Sequence, residues 1–112
     1  MFNVTVVGAG DISSIYLYNL KNVFHGVKVR GVYDIQPDRA GRAAETWGIP
    51  RVFETLSDAV SDPETDLILN LTRPLNHYEV SKAAILAGKH ILIHFREGNF
   101  VRLVYVSIEQ IV

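Results

Sequence analysis

Short apolar runs alternate with segments of helical periodicity along this chain, and that alternation strongly limits its possible folds. The apolar runs are rich in β-branched residues and have little polar alternation, as is typical of strands buried on both faces. They lie at residues 4–7, 27–33, 51–53, 67–71 and 90–93. The pattern predicts one doubly wound α/β domain over residues 1–112, with a mostly parallel sheet between two helical layers.

Four helices are predicted between these strands. The first covers residues 11–23, and its apolar residues at helical spacing are Ile12, Ile15, Tyr16, Leu20 and Val23. The second begins at Pro37 and ends at Gly48, because proline suits a first helical position and glycine suits a helix end. A brief third helix surrounds Ala59. The fourth covers residues 76–87.

Composition and charge exclude several function classes. The net charge is -1, from 11 basic and 12 acidic residues without a basic stripe, which argues against nucleic-acid binding. There is no cysteine, so disulfides, thiol catalysis and thiolate metal sites are excluded. The four histidines do not have metal-ligand spacing, and we expect no metal site. Without a signal peptide or an apolar run of about 18 residues, we expect a cytoplasmic protein without a membrane span.

A glycine-rich turn follows the first predicted strand. Gly8 and Gly10 stand where a strand turns into a helix, and Asp11 and Ile12 open that helix. The first glycine permits a tight turn, and the second lets a pyrophosphate approach the backbone N–H groups. The third position of such fingerprints holds glycine or alanine, whereas Ser13 stands here. An ordinary strand–helix turn is the alternative interpretation.

A carboxylate follows the second predicted strand. Asp34 lies more than 20 residues after the glycine turn, as expected for a residue that binds the adenosine ribose hydroxyls of NAD. Such a carboxylate would repel the 2′-phosphate of NADP, so we expect NAD in preference to NADP. Asp34 could instead cap the helix that begins at Pro37. Arg39 could meet a 2′-phosphate, or could be a solvated charge on the helix surface.

The loop after the strand at residues 67–71 supplies the third group of candidate residues. Open α/β sheets bind ligands at the carboxyl ends of their strands. Thr72, Arg73, Pro74, Asn76 and His77 are therefore predicted to line the cofactor site. Alternatively, Asn76 is the N-cap of the fourth helix and His77 is a surface residue of its first turn.

Several motifs occur in a shared order along most of the chain. They cover residues 6–12, 32–34, 48–50, 66–72 and 77–90. Together they resemble the amino-terminal domain of the Gfo/Idh/MocA oxidoreductases, the family of glucose–fructose oxidoreductase and inositol dehydrogenase. The resemblance covers residues 3–90 and implies that the glycine turn holds the pyrophosphate, Asp34 the ribose, and the loop at Thr72 the rest of NAD or NADP. The family transfers a hydride between nicotinamide and sugars, cyclitols or related alcohols.

The chain departs from this family after its fifth predicted strand. Members continue to a Glu-Lys-Pro motif whose lysine serves proton transfer, but His94, Phe95 and Arg96 stand here, and the substrate domain is absent from these 112 residues. Positioned proton transfer contributes about 10²- to 10⁴-fold to rate. We therefore assign no catalytic residue and expect little activity from this chain alone. A non-enzymatic nucleotide-binding, sensing or interaction module is the alternative.

The tail after residue 94 diverges from the family and is rich in Val, Leu, Ile and Tyr. It is either a truncated or frame-altered end, or the end of a natural short form that closes its sheet with one more strand. An apolar strand at residues 100–112 could also pair two copies of the chain or bind a partner subunit.

Overall fold

The computed structural model describes residues 2–10, 12–23, 25–97 and 100–107. The elements in chain order are β1 (Phe2–Val7), α1 (Ser13–Asn22), β2 (Val27–Tyr33), α2 (Pro37–Trp47), β3 (Arg51–Val52), α3 (Leu56–Ser61), β4 (Leu67–Asn70), α4 (Pro74–Leu86), β5 (His90–Glu97) and β6 (Phe100–Val106). The sheet order is β3-β2-β1-β4-β5-β6, with parallel pairing throughout except between β5 and β6. The predicted doubly wound, mostly parallel α/β fold is confirmed.

The core consists of two apolar clusters on opposite faces of the sheet. Successive residues of a strand point to opposite faces, which divides the side chains of β1 between the two clusters. Val6 belongs to the cluster that contains Leu17 of α1 and Ala40 of α2. Val7 belongs to the other cluster, which contains Val80 of α4. Both faces are therefore covered by helices, as the continuous apolar runs predicted.

The inner face of α1 differs from the prediction. Ile15 and Val23 are 60% and 53% exposed, whereas Leu17 is fully buried. Ser13 begins the helix and is itself buried, so the residue four positions later faces the sheet as well. The sequence periodicity alone did not reveal this rotation of the helix.

The fourth helix begins at Pro74, two residues before its predicted start. Arg73 has an extended backbone with φ of -66° and ψ of 156°, and Pro74 occupies the first turn. The backbone N–H of Asn76 donates to the carbonyl of Arg73 at 2.8 Å. The interpretation of Asn76 as an N-cap is therefore wrong, because Arg73 holds that position.

The tail forms an additional strand over part of its length. β6 pairs with β5 from the pair Glu97 and Phe100 to the pair Ile91 and Val106. The tail therefore adds one strand to the sheet over Phe100–Val106, while residues 108–112 lie outside the described residues. Among the helices described, none has the length and apolar content required to cross a membrane.

An ion pair joins β2 to the segment that follows α3. Arg30 Nε lies 3.1 Å from Asp62 Oδ2, and the Asp62 side chain is only 6% exposed. Thr65 Oγ1 donates to the same carboxylate at 2.6 Å. Burial by itself raises the pKa of Asp62, but the hydrogen bonds from Arg30 and Thr65 outweigh it and hold the pKa below its ordinary value.

Arg30→Met is expected to lower the free energy of unfolding by about 1 kcal/mol at neutral pH. A carboxylate with a lowered folded pKa stabilises the fold above its unfolded pKa, and that contribution is lost as the pH falls through the folded value. The difference between Arg30→Met and the unsubstituted chain should therefore shrink below a pH of about 4. Urea denaturation at several pH values measures it. Lys28→Met, an exposed cation on the same strand, is the control, and a difference independent of pH would contradict the assignment.

Candidate functional site

A cleft of about 780 Å³ opens at the carboxyl ends of β1, β2 and β4. Its walls are the turn after β1, the segment after β2, one side of α2 and the loop after β4. The predicted residues that line it are Gly8, Gly10, Ile12, Asp34, Arg39, Thr72, Arg73 and Asn76. Pro74 and His77 do not line it, and Asp11 lies outside the described residues.

The two glycines serve different purposes in the turn. Gly8 has a φ of +104°, and a Cβ placed there would lie 2.9 Å from the carbonyl carbon of Leu71. Its N–H donates to the carbonyl of Tyr33 at 2.8 Å. A Cβ on Gly10 would meet nothing nearer than Arg39 Nη1, at 4.0 Å. Gly8 therefore allows close contact between two loops, whereas Gly10 leaves open space in the cleft.

Ser13 occupies the third position of the glycine turn, where its hydrogen bonds accommodate the polar side chain. The residue is only 3% exposed, and its hydroxyl and its N–H both donate to the carbonyl of Gly10, at 2.6 Å and 3.0 Å. The first turn of α1 contains no acidic residue, and the described residues provide no side-chain cap. With Ser14 in the cleft wall, the positive end of the helix dipole is available to an anion.

Asp34 joins the glycine turn to the start of α2. The residue is 9% exposed. Its Oδ2 accepts a hydrogen bond from the N–H of Ala9 at 2.7 Å, and its Oδ1 accepts one from the N–H of Gln36 at 2.7 Å. Gln36 is the N-cap residue of α2. The interpretation of Asp34 as the cap of α2 is therefore wrong, because Gln36 holds that position and, among the described residues, α2 has no side-chain cap hydrogen bond. Asp34 lines the cleft and binds the N–H of the residue that precedes the helix.

The cleft is more positive than the rest of the chain. Three arginines line it, Arg39, Arg42 and Arg73, and Asp34 is the only acidic residue among its described lining residues, although the whole chain has a net charge of -1. Arg42 was not predicted. Its spacing of three residues from Arg39 was the available signal, since residues three apart share a face of a helix. The excess of positive charge favours an anionic ligand.

Asn70 holds the loop after β4 and was also missed. The residue is fully buried. Its amide donates to the carbonyl of His77 at 3.2 Å and to Ser81 Oγ at 3.1 Å, and its Oδ1 accepts from the hydroxyl of Thr72 at 2.6 Å. A polar residue within an otherwise apolar strand was the signal in the sequence. Asn70 thereby positions Thr72 at the edge of the cleft.

His77 lies on the buried face of α4. The prediction placed it in the cleft, but it does not line the cleft. The residue is 7% exposed, and its ring packs edge to face with Phe95, with centroids 4.8 Å apart. Neither ring nitrogen has a hydrogen-bond partner within the described part of the chain. The reason is the helical spacing, because His77 lies three residues before Val80 and seven before Ala84 and therefore shares the buried face of α4.

A second edge-to-face pair of rings joins α1 to β5. The hydroxyl of Tyr16 is 2.7 Å from Nδ1 of His94, and the two rings pack edge to face. Burial raises the pKa of the Tyr16 hydroxyl. This contact ties α1 to β5.

Comparison with known proteins bears on this geometry. The Gfo/Idh/MocA family model, described as an oxidoreductase family with an NAD-binding Rossmann fold, matches residues 2–94. The chain belongs to this family. It is accordingly an NAD(P)-binding Rossmann domain of the Gfo/Idh/MocA oxidoreductases, and the resemblance stated from the sequence motifs is confirmed.

The Gfo/Idh/MocA relatives are longer than this chain. An inositol 2-dehydrogenase/D-chiro-inositol 3-dehydrogenase of Lactiplantibacillus plantarum is 34% identical over 87 residues, which are 77% of this chain and 25% of that protein. The chain thus spans about a quarter of the length of such relatives.

Two solved structures share the fold. The scyllo-inositol dehydrogenase of Lactobacillus casei with bound NAD(H) and scyllo-inositol has a TM-score of 0.76 at 22% identity, over 83% of this chain and 27% of that one. The biliverdin reductase of Synechocystis with biliverdin and NADP+ has a TM-score of 0.76 at 23% identity, over 84% and 29%. At such identities the likeness establishes the fold alone.

Proposed function

We propose that the cleft binds NAD in preference to NADP. The placement of Asp34 carries this proposal, since its carboxylate is buried against the glycine turn at the cleft wall. Each carboxylate oxygen accepts one backbone hydrogen bond and retains a further lone pair for a hydroxyl. A ribose with free 2′- and 3′-hydroxyls fits such an acceptor, whereas a 2′-phosphate would bring like charges together.

The other lining residues suit the pyrophosphate. Gly10 leaves room beside the turn, and the start of α1, which no described side chain caps, offers N–H groups to an anion. Arg39 and Arg73 stand on opposite sides of that space, one on α2 and one on the loop after β4. Their positive charges offset the two negative charges of a pyrophosphate, and the guanidinium groups can bind its oxygens in bidentate fashion.

We infer that this chain binds the cofactor without completing the reaction. Bound nicotinamide would supply hydride transfer, which in the family acts on sugars, cyclitols or related alcohols. In place of the family's Glu-Lys-Pro motif the strand carries His94 and Phe95, and the Phe95 ring packs against His77. The phenylalanine side chain has no acidic or basic group, so Phe95 cannot carry out the proton transfer that the lysine of the motif serves. A nucleotide-binding or sensing module without activity is the second candidate function, and the absent lysine favours it.

Calorimetric titration with oxidised and reduced NAD and NADP tests the proposal. We expect saturable binding of NAD and at least tenfold weaker binding of NADP, a difference of about 1.4 kcal/mol.

The Arg39→Met substitution distinguishes two possible roles of Arg39 in this cleft. If Arg39 binds the pyrophosphate, both affinities fall by similar factors; if it serves a 2′-phosphate, the affinity for NADP alone falls. Lys82→Met on the exposed side of α4 is the control. Equal affinities for NAD and NADP, or no binding by a folded sample, would contradict the proposal.

A further inference from the structure

β6 ends the sheet and has a long, regular outer edge. Its pairing with β5 continues from Phe100 to Val106 without a register shift. It is the last strand of the sheet order, so within the described residues its second edge has no strand beside it. Backbone N–H and C=O groups along such an edge form a template for another strand.

Four apolar side chains of β6 are exposed, and they lie on both faces of the strand. Val101, Leu103 and Tyr105, which share one face, are 56%, 53% and 51% exposed. Val104 on the opposite face is 39% exposed. Natural edge strands are protected by lysine, proline or a bulge, whereas β6 has none of these, and Arg102 is its only charged residue.

We propose that β6 of a second copy of this chain pairs with this edge, in antiparallel orientation about a two-fold axis. The partner must offer a free strand edge of similar length and low charge. The other edge of the sheet is β3, which has only two residues, so β6 itself is the matching edge. An antiparallel pair of identical strands is self-complementary, as a two-fold dimer requires.

The position of Arg102 selects the register of this pair. With Leu103 on the two-fold axis, Val101 lies opposite Tyr105 of the second copy, and Arg102 lies opposite Val104. Leu103 is the central residue of β6, so this register pairs the whole strand. Moving the two-fold axis by one residue, to position 102, would place the two Arg102 residues opposite each other, and like charges in that position are unfavourable.

The contact is a single strand edge, about 24 Å long. Because a single strand edge is a small interface, we expect weak association, with a dissociation constant of about tens of micromolar. The cofactor cleft lies at β1, β2 and β4, and β5 separates these strands from β6. Pairing at β6 should therefore leave cofactor affinity unchanged, and the two proposals can fail independently.

Single cysteines in this cysteine-free chain test the register. Paired Cα atoms in an antiparallel ladder are about 4.5 to 5.5 Å apart, which a disulfide spans. Leu103→Cys should therefore form a disulfide dimer under mild oxidation. Val101→Cys, on the same face and equally exposed, should crosslink at least tenfold more slowly, because its symmetry mate lies about 14 Å away along the strand. Equal rates would overturn the proposed register.

Sedimentation from about 5 to about 500 μM tests the association itself. We expect a concentration-dependent change from monomer to dimer. Leu103→Lys places two lysines opposite each other and should weaken the dimer severalfold more than Val101→Lys, which places its lysine opposite Tyr105. A chain that is monomeric throughout this range, or a dimer affected equally by the two substitutions, would overturn the proposal.

Discussion

Gly8→Ala is expected to lower the free energy of unfolding by about 3 kcal/mol. Part of this loss comes from the φ of +104°, which L side chains rarely adopt, and which costs about 1 to 2 kcal/mol. The rest comes from the new Cβ, which would stand 2.9 Å from backbone atoms of Leu71. Backbone cannot move aside as a flexible side chain can, so overpacking adds about 1 to 3 kcal/mol.

Gly26→Ala is the matched control for this substitution. Gly26 also has a positive φ, of +78°, but a Cβ there meets nothing within 4 Å. Gly26→Ala should therefore lower the free energy of unfolding only by the cost of the positive φ. Urea denaturation of both variants isolates the cost of the contact with Leu71. Equal losses would mean that the β1–α1 turn does not depend on close approach to the loop after β4.

Asp34→Ala is expected to weaken NAD binding by about 100-fold, close to 2.7 kcal/mol. The substitution removes the acceptor proposed for the ribose hydroxyls. It also leaves the N–H groups of Ala9 and Gln36 without their carboxylate, and charge-assisted hydrogen bonds of this kind contribute about 1.5 to 3 kcal/mol each. We therefore expect lower stability as well as lower affinity.

Asp34→Asn separates the two contributions. The amide keeps one oxygen acceptor and the size of the side chain but removes the charge, so the preference for NAD over NADP should fall even where the fold is retained. Asp38→Ala is the control, because it removes an exposed carboxylate from the first turn of the same helix. Calorimetry measures both affinities. If Asp38→Ala weakens NAD binding as much as Asp34→Ala does, the role proposed for Asp34 is wrong.

The sequence predicted the sheet and most of the cleft because both leave strong local signals. Parallel strands covered on two faces need nearly continuous apolar runs, and those runs located the strands. The glycine at position 8 and the carboxylate at position 34 follow strand ends, and parallel strands end at the same edge of the sheet. The contact between the glycine turn and Asp34, which the N–H of Ala9 makes, therefore follows from the sheet topology.

Residues whose position depends on the rotation of a helix were harder to predict. His77 shares the buried face of α4 with Val80 and Ala84, so its ring packs against Phe95 and away from the cleft. Ser13 is drawn inward by its hydrogen bonds to Gly10, which leaves Ile15 exposed. Consecutive residues of a helix point about 100° apart, so a small rotation of the helix about its axis changes which side chains are buried, and apolar periodicity does not resolve such a rotation.

By itself the sequence determined the fold class, the family, the glycine turn and the carboxylate after β2, because each depends on residues that are close together in the chain. Only the tertiary structure decided which charges share the cleft and which strand lies at the edge of the sheet. Arg42 and Arg73 lie on different elements, and β6 is an edge only because of the strand order. Such placements depend on how distant elements pack together, and no local pattern of residue types encodes them.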